Sequence, residues 1–251
     1  MVQELIGQFQ TMTPVLIMAA GLAIGLEHAF EADHIAAVAV QVSKNKTADS
    51  ISTIKRLKKS ILASSILGVF WGAGHTTTLL LVGLLVFVLS INIPENIFSN
   101  LEIIVGIMLV FLGTKTYLNK SIFKVKHVHP HVHENGVIHT HDHKHDSIHK
   151  HGHKSYIIGC IHGLAGSGSL VVFVAASLGS LQLILPFILI FGIGSILGMA
   201  MISGIIGLPF AFTANINRIS MILRYVAGSA SLLIGINIIY KIAVLQHLFG
   251  I

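Results

Sequence analysis

Six stretches of this chain are apolar for about the length that a helix needs to cross a lipid bilayer, and few folds remain open to such a sequence. A crossing helix takes roughly 17–25 mostly apolar residues, and runs of that kind lie near residues 14–42, 61–90, 101–117, 156–178, 183–212 and 219–245. Composition bears on whether these runs face water. Only 10% of the 251 residues are charged and 53% are hydrophobic, against about 25% charged in a soluble domain. Too few charges remain to cover a water-exposed surface, so the pattern predicts an integral membrane protein. The first, second and fifth runs exceed a straight span and are rich in Gly and Ser, which predicts tilt, kinks or locally broken helix.

The basic residues set an expected orientation. Lys44, Lys46, Lys55, Arg56, Lys58 and Lys59 follow the first run. Lys115, Lys120, Lys124, Lys126, Lys144, Lys150 and Lys154 follow the third, and Arg218 and Arg224 flank the loop between the fifth and sixth. Fifteen of the 16 basic residues thus fall on one side, with Lys241 left over, and the positive-inside rule makes that side cytoplasmic. Both termini are then expected outside. No Lys or Arg precedes the first run, so it reads as a retained span and not as a signal peptide. The formal charge of +6 reports topology, and nucleic acid is not an expected partner. A single cysteine, Cys160, excludes an internal disulfide and a multi-cysteine metal site.

Short patterns recur in the same order along the chain. Gly25-x-x-His28 corresponds to Gly159-x-x-His162, and Trp71-Gly72-Ala73-Gly74-His75 to Phe191-Gly192-Ile193-Gly194-Ser195. Gly106 and Gly113 precede Tyr117 as Gly228 and Gly235 precede Tyr240. The expectation is an all-α membrane protein of six transmembrane helices arranged as two inverted three-helix repeats, an architecture of transporters. Residues 1–119 would form the first repeat, 120–155 a His-rich cytoplasmic loop between helices 3 and 4, and 156–251 the second repeat.

The first run is unusual in carrying Glu27, His28, Glu31, Asp33 and His34. Ionisable groups at membrane depth are costly unless they face a cavity, a partner or an ion, and a divalent cation makes several carboxylates favourable together. On a straight helix His28 and His34 lie about 120° apart and Asp33 about 140° from His28. Glu27, Glu31 and His34 share a face. Either the helix opens between Gly25 and Asp33, or the ligand set mixes these faces with other spans. His75, followed by Thr76, Thr77 and Thr78, sits near the middle of the second run, and His162, followed by a Gly/Ser-rich stretch, lies in the fourth. Each reads as a pathway ligand or as an interhelical hydrogen bonder. Cys160 reads as a buried thiol, with a soft metal ligand as the alternative.

Eleven of the 16 histidines crowd into residues 127–153: His127, His129, His131, His133, His139, His141, His143, His145, His149, His151 and His153. Neutral imidazoles on a polar segment make several exchanging sites for a borderline metal. The stretch lacks apolar periodicity, and disorder is expected without metal.

These motifs resemble the nickel/cobalt permease superfamily. His28-Ala29-Phe30-Glu31-Ala32-Asp33-His34 looks like its H-x4-D-H signature, and Gly74-His75-Thr76 looks like its second Gly-His-Ser/Thr motif. His162-Gly163-Leu164-Ala165-Gly166-Ser167-Gly168 is similar to the six-span branch associated with urease nickel supply. The resemblance implies that His28, Asp33 and His34 select the metal and that His75 belongs to the same pathway. Glu27 stands where the eight-span members usually carry Arg, and their later acidic Thr-rich motif has no counterpart, so nickel-versus-cobalt selectivity does not carry over. The expected metal set is His28, Asp33, His34, His75, Glu27, Glu31 and His162. The expected substrate is Ni²⁺ or Co²⁺, with Zn²⁺ as an alternative and no prosthetic group. Membrane lipid and a cytoplasmic metallochaperone are the other candidate partners. Uptake is the leading direction and efflux the alternative. An intramembrane metalloenzyme is the distant one, since neither His-Glu-x-x-His nor an adjacent His-His pair occurs. No enzymatic activity is expected, and no phosphate-binding loop marks an ATP motor.

Overall fold

The computed structural model describes residues 13–43, 53–89, 95–118, 130–132, 138–140, 148–164 and 180–245. Helix α1 spans Pro14–His28 and α2 spans Ala32–Val42. Pro14 opens α1 at a position where its missing N–H costs no bond. The two helices meet at 54°. At the junction the Phe30 N–H donates to the Glu27 carbonyl at 2.9 Å, and the Glu31 N–H to the His28 carbonyl at 3.2 Å. Glu31 is extended, with φ −61° and ψ 147°. The helix restarts when the Ile35 N–H reaches the Glu31 carbonyl at 3.0 Å. Asp33 Oδ1 accepts the His34 backbone N–H at 2.9 Å, satisfying a first-turn amide and placing negative charge at the positive end of the α2 dipole.

Further helices are α3 (Thr53–Leu89), α4 (Glu95–Tyr117), α5 (Ile148–Leu164), α6 (Leu181–Phe212) and α7 (Asn217–Tyr240), the last continuing into a π-helical turn over Lys241–Leu245. Between α4 and α5 two strands, β1 (Pro130–Val132) and β2 (Ile138–Thr140), pair antiparallel with His131 opposite His139. Alternation of His with β-branched residues has the period of a pleated strand. The chain is therefore not wholly α, and the expected disorder of the His-rich stretch does not extend to these two segments.

Four described segments are long and apolar enough to cross a membrane: Ile54–Val86, Asn100–Tyr117, Leu181–Phe212 and Asn217–Val244. The bent α1–α2 pair makes a fifth if it counts as one span. The structure thus corrects the expectation of six spans as two inverted three-helix repeats. The expected first span is two helices broken at the metal motif. The expected fourth begins as a 17-residue helix at Ile148, across the expected boundary at residue 155. Its opening His149-Lys150-His151-Gly152-His153-Lys154 is too polar for a bilayer core. The remainder of that expected span, residues 165–178, lies outside the described residues.

The outward faces fit lipid, not water. Ile193, Leu197, Met201 and Ile205 make an exposed stripe at i, i+4, i+8 and i+12 along α6, and Ile222, Val226, Leu233 and Ile236 are exposed on α7. Helix α6 packs on α1 and α3, α5 packs on α3, and α4 packs on α7, while α2 contacts α6 and α7. Glycines make close helix approaches possible. A Cβ on Gly25 would collide with the Phe191 carbonyl, and one on Gly159 with the Trp71 carbonyl. Small residues allow such backbone contact between membrane helices. Hydroxyls add crossing bonds: Thr78 Oγ1 donates to the Cys160 carbonyl at 3.1 Å, Ser155 Oγ to the Leu67 carbonyl at 2.8 Å, and Ser231 Oγ to the Leu109 carbonyl at 2.8 Å.

Candidate metal centre

Three separate pieces of chain converge on one buried cluster. The α1–α2 break presents His28 at the end of one helix and Asp33 and His34 at the start of the next. Helix α3 supplies His75 and α5 supplies His162. Gly159 and Gly163 draw α5 against the α3 backbone at Trp71 and His75, which brings His162 inward. All four imidazoles are buried. Ring centroids of His34 lie 4.5 Å from His28, 5.6 Å from His75 and 4.0 Å from His162. Trp71 and Phe191 wall the cluster, with centroids 5.6 Å from His162 and from His28 respectively.

The hydrogen bonds fix how each ring is presented. An ionised carboxylate only accepts, so the imidazole nitrogen facing it carries the proton. His34 Nδ1–H donates to Asp33 Oδ1 at 3.1 Å, and His162 Nε2–H to Asp33 Oδ2 at 3.0 Å. His28 Nδ1–H donates to Glu31 Oε1 at 2.9 Å. His28 Nε2 then accepts from His75 Nε2–H at 3.1 Å. Each neutral ring is left with its lone pair on the other nitrogen. Those of His34 (Nε2), His75 (Nδ1) and His162 (Nδ1) are buried without a hydrogen-bond partner. Buried polar atoms are rarely left this way. Histidines that ligate metals ordinarily give their second N–H to a carboxylate, which orients the ring and raises its basicity. Asp33 and Glu31 stand in that relation to three of the four rings.

Two groups of potential ligand atoms lie within 4.8 Å of one another: His28, His34 and His75, and Asp33, His34 and His162. Imidazole with added carboxylate suits borderline divalent transition metals. Of the seven residues expected, Glu27 is exposed on α1 and Glu31 has 42% of its side chain exposed, and neither belongs to a ligand group; the 54° break removes the shared face that a straight helix would give Glu27, Glu31 and His34. Cys160 is partly buried and belongs to neither group. Along the His-rich stretch, His131 and His139 lie in the strand pair, His149 and His151 in the first turns of α5, and His153 is exposed. His127, His129, His133, His141, His143 and His145 lie outside the described residues.

Sequence reasoning passed over Glu102. It is half-buried on α4, and the charges that act on it are Asp33 and Glu31. A carboxylate within the apolar run 101–117 carries the same signal as those in the first run.

No family model matches the chain, and no solved structure matches it. Over 233 residues the chain is 35% identical to the urease accessory protein UreH of Bacillus sp. (strain TB-90), an alignment that covers 93% of this chain and 94% of that protein. That relative is named as an accessory protein and not as a catalyst, in keeping with the expectation of no enzymatic role. A bent helix pair carrying His and Asp, a buried imidazole cluster and several apolar spans thus occur in a chain alike to that protein over nearly its whole length, and the chain belongs to the UreH family of urease accessory proteins.

Proposed function

We propose that the protein is a permease that carries a divalent transition-metal ion, nickel in the first place and cobalt as its near equivalent, across the membrane into the cytoplasm. One observation carries the reading. Carboxylates hold the N–H of buried imidazoles, and three lone-pair nitrogens remain without partners between membrane helices. A hydrated divalent ion loses water at bilayer depth only where such donors replace it. Glu31 is exposed over 42% of its side chain and Asp33 over 17%, beside fully buried rings, which gives a polar approach to the cluster. The resemblance to the urease nickel-supply branch and the kinship with a urease accessory protein both favour nickel moving inward. The basic residues after the first and third apolar runs favour a cytoplasmic His-rich stretch, where eleven histidines would hold metal for transfer to a metallochaperone.

The test is Ni²⁺ flux into liposomes that contain the full-length protein in one orientation. Saturable uptake along an imposed Ni²⁺ gradient is the expected result. Flux no greater than in empty liposomes, in both orientations, would sink the permease reading. Flux dominated by outward movement under physiological gradients would replace uptake with efflux.

A further inference from the structure

The two groups of ligand atoms have one member in common. His28 and His75 complete one set around His34 with nitrogen alone, and Asp33 and His162 complete the other with mixed oxygen and nitrogen. A neutral imidazole has a single lone pair for a metal. With its Nδ1 proton given to Asp33 Oδ1, His34 offers only Nε2; in the other tautomer it offers only Nδ1, so the ring has one ligand nitrogen at a time. Two ions cannot both take it. Building on the metal-carrying reading, we infer that the cluster is two overlapping sites that exclude each other: one ion at a time, passed between an all-nitrogen set and a mixed set by exchange of partners around His34.

Geometry supports exchange over a fused four-histidine cage. His34 sits between the two remaining pairs, with ring centroids 4.5 Å from His28 and 4.0 Å from His162, whereas His75 and His162 are 6.3 Å apart. The members also come from different helices. His28 ends α1, His75 lies on α3 and His162 on α5, while Asp33 and His34 start α2 beyond the 54° bend. A small change of that bend would move His34 and Asp33 together relative to His28. The all-nitrogen set is the softer environment and the mixed set the harder, so the ion would change its ligand shell without becoming free in the membrane.

The experiment uses full-length protein in which the eleven histidines of residues 127–153 are replaced by Asn, so that Co²⁺ bound by the buried cluster is counted without that stretch. Co²⁺ is the probe because its optical and X-ray absorption spectra distinguish nitrogen from mixed nitrogen–oxygen shells. One equivalent of Co²⁺ per chain is expected. His28→Ala and His162→Ala should each still bind one equivalent, the first with an oxygen-containing shell and the second with a nitrogen-rich one. Two equivalents per chain would overturn mutual exclusion while leaving the metal reading intact. Loss of binding in both single variants, each eluting as wild type on size exclusion, would overturn two sites in favour of one cage. No Co²⁺ or Ni²⁺ bound by the starting protein would remove the metal reading itself, and this inference with it.

Discussion

His162 Nε2 lies 3.0 Å from Asp33 Oδ2, across 129 positions of sequence. The same carboxylate holds His34 through Oδ1 at 3.1 Å. One side chain therefore orients two rings from two helices. Asp33→Asn preserves shape but removes the charge, and its amide donates where the carboxylate accepts. Loss of a carboxylate that orients metal-binding rings typically costs about 10–100-fold in metal affinity. Asp33→Asn is expected to weaken Ni²⁺ binding by roughly that factor, while size-exclusion and thermal profiles stay near wild type. Calorimetric titration of the purified variant checks it.

Close approach of α5 to α3 positions His162. Gly159→Ala would place a methyl against the Trp71 carbonyl, which is backbone and cannot move aside as a flexible side chain would. Overpacking of this type costs about 1–3 kcal/mol. The expected outcome is a lowered melting temperature together with weakened metal binding, read on the same sample. Leu197→Ala, on the lipid-facing stripe of α6, should leave metal binding unchanged.

Glu102 adds charge near Asp33 and Glu31 without joining either ligand group. Its contribution is electrostatic attraction of a cation from a partly exposed position, worth about 0.5–1 kcal/mol. Glu102→Gln should raise the apparent Kd for Ni²⁺ by roughly two- to fivefold. The difference should shrink at high ionic strength because salt screens exposed charge. Titrations at low and high salt check both statements.

The His-rich stretch is separate in sequence from the buried cluster, and its described part includes a strand pair and the polar start of α5. The eleven histidines are expected to bind several weak Ni²⁺ equivalents in equilibrium dialysis; their replacement by Asn should abolish these and leave the flux per protein close to wild type. A proportional loss of flux would place the stretch in the transport path.

Much of the cluster was legible from residue type alone. His28, Asp33 and His34 within an apolar run, and His75 and His162 in two others, are costly groups at bilayer depth and so announce a shared purpose. The angular conflict between His28 and His34 on a straight helix also pointed to a break, which the structure places at Ala29–Glu31. Glu27 is exposed, and the face it would share with Glu31 and His34 on a straight helix is interrupted by the bend, across which helical periodicity does not hold. The span count failed for a related reason: an apolar run reports hydrophobicity but not where helix starts and stops. The polar turns before Tyr156 are helical, and the run that begins at Pro14 is two helices. The hydrogen bonds that orient the rings depend on the meeting of α2, α3 and α5, a long-range fact that no local pattern encodes.

The central claim is that the buried imidazoles carry the ion. Ni²⁺ flux in liposomes should be compared for His28→Ala, in the cluster, and His153→Ala, exposed at the start of α5. The account predicts near-complete loss of flux in His28→Ala and wild-type flux in His153→Ala. Equal flux in His28→Ala and wild type, with both proteins folded and inserted to the same extent, would contradict it.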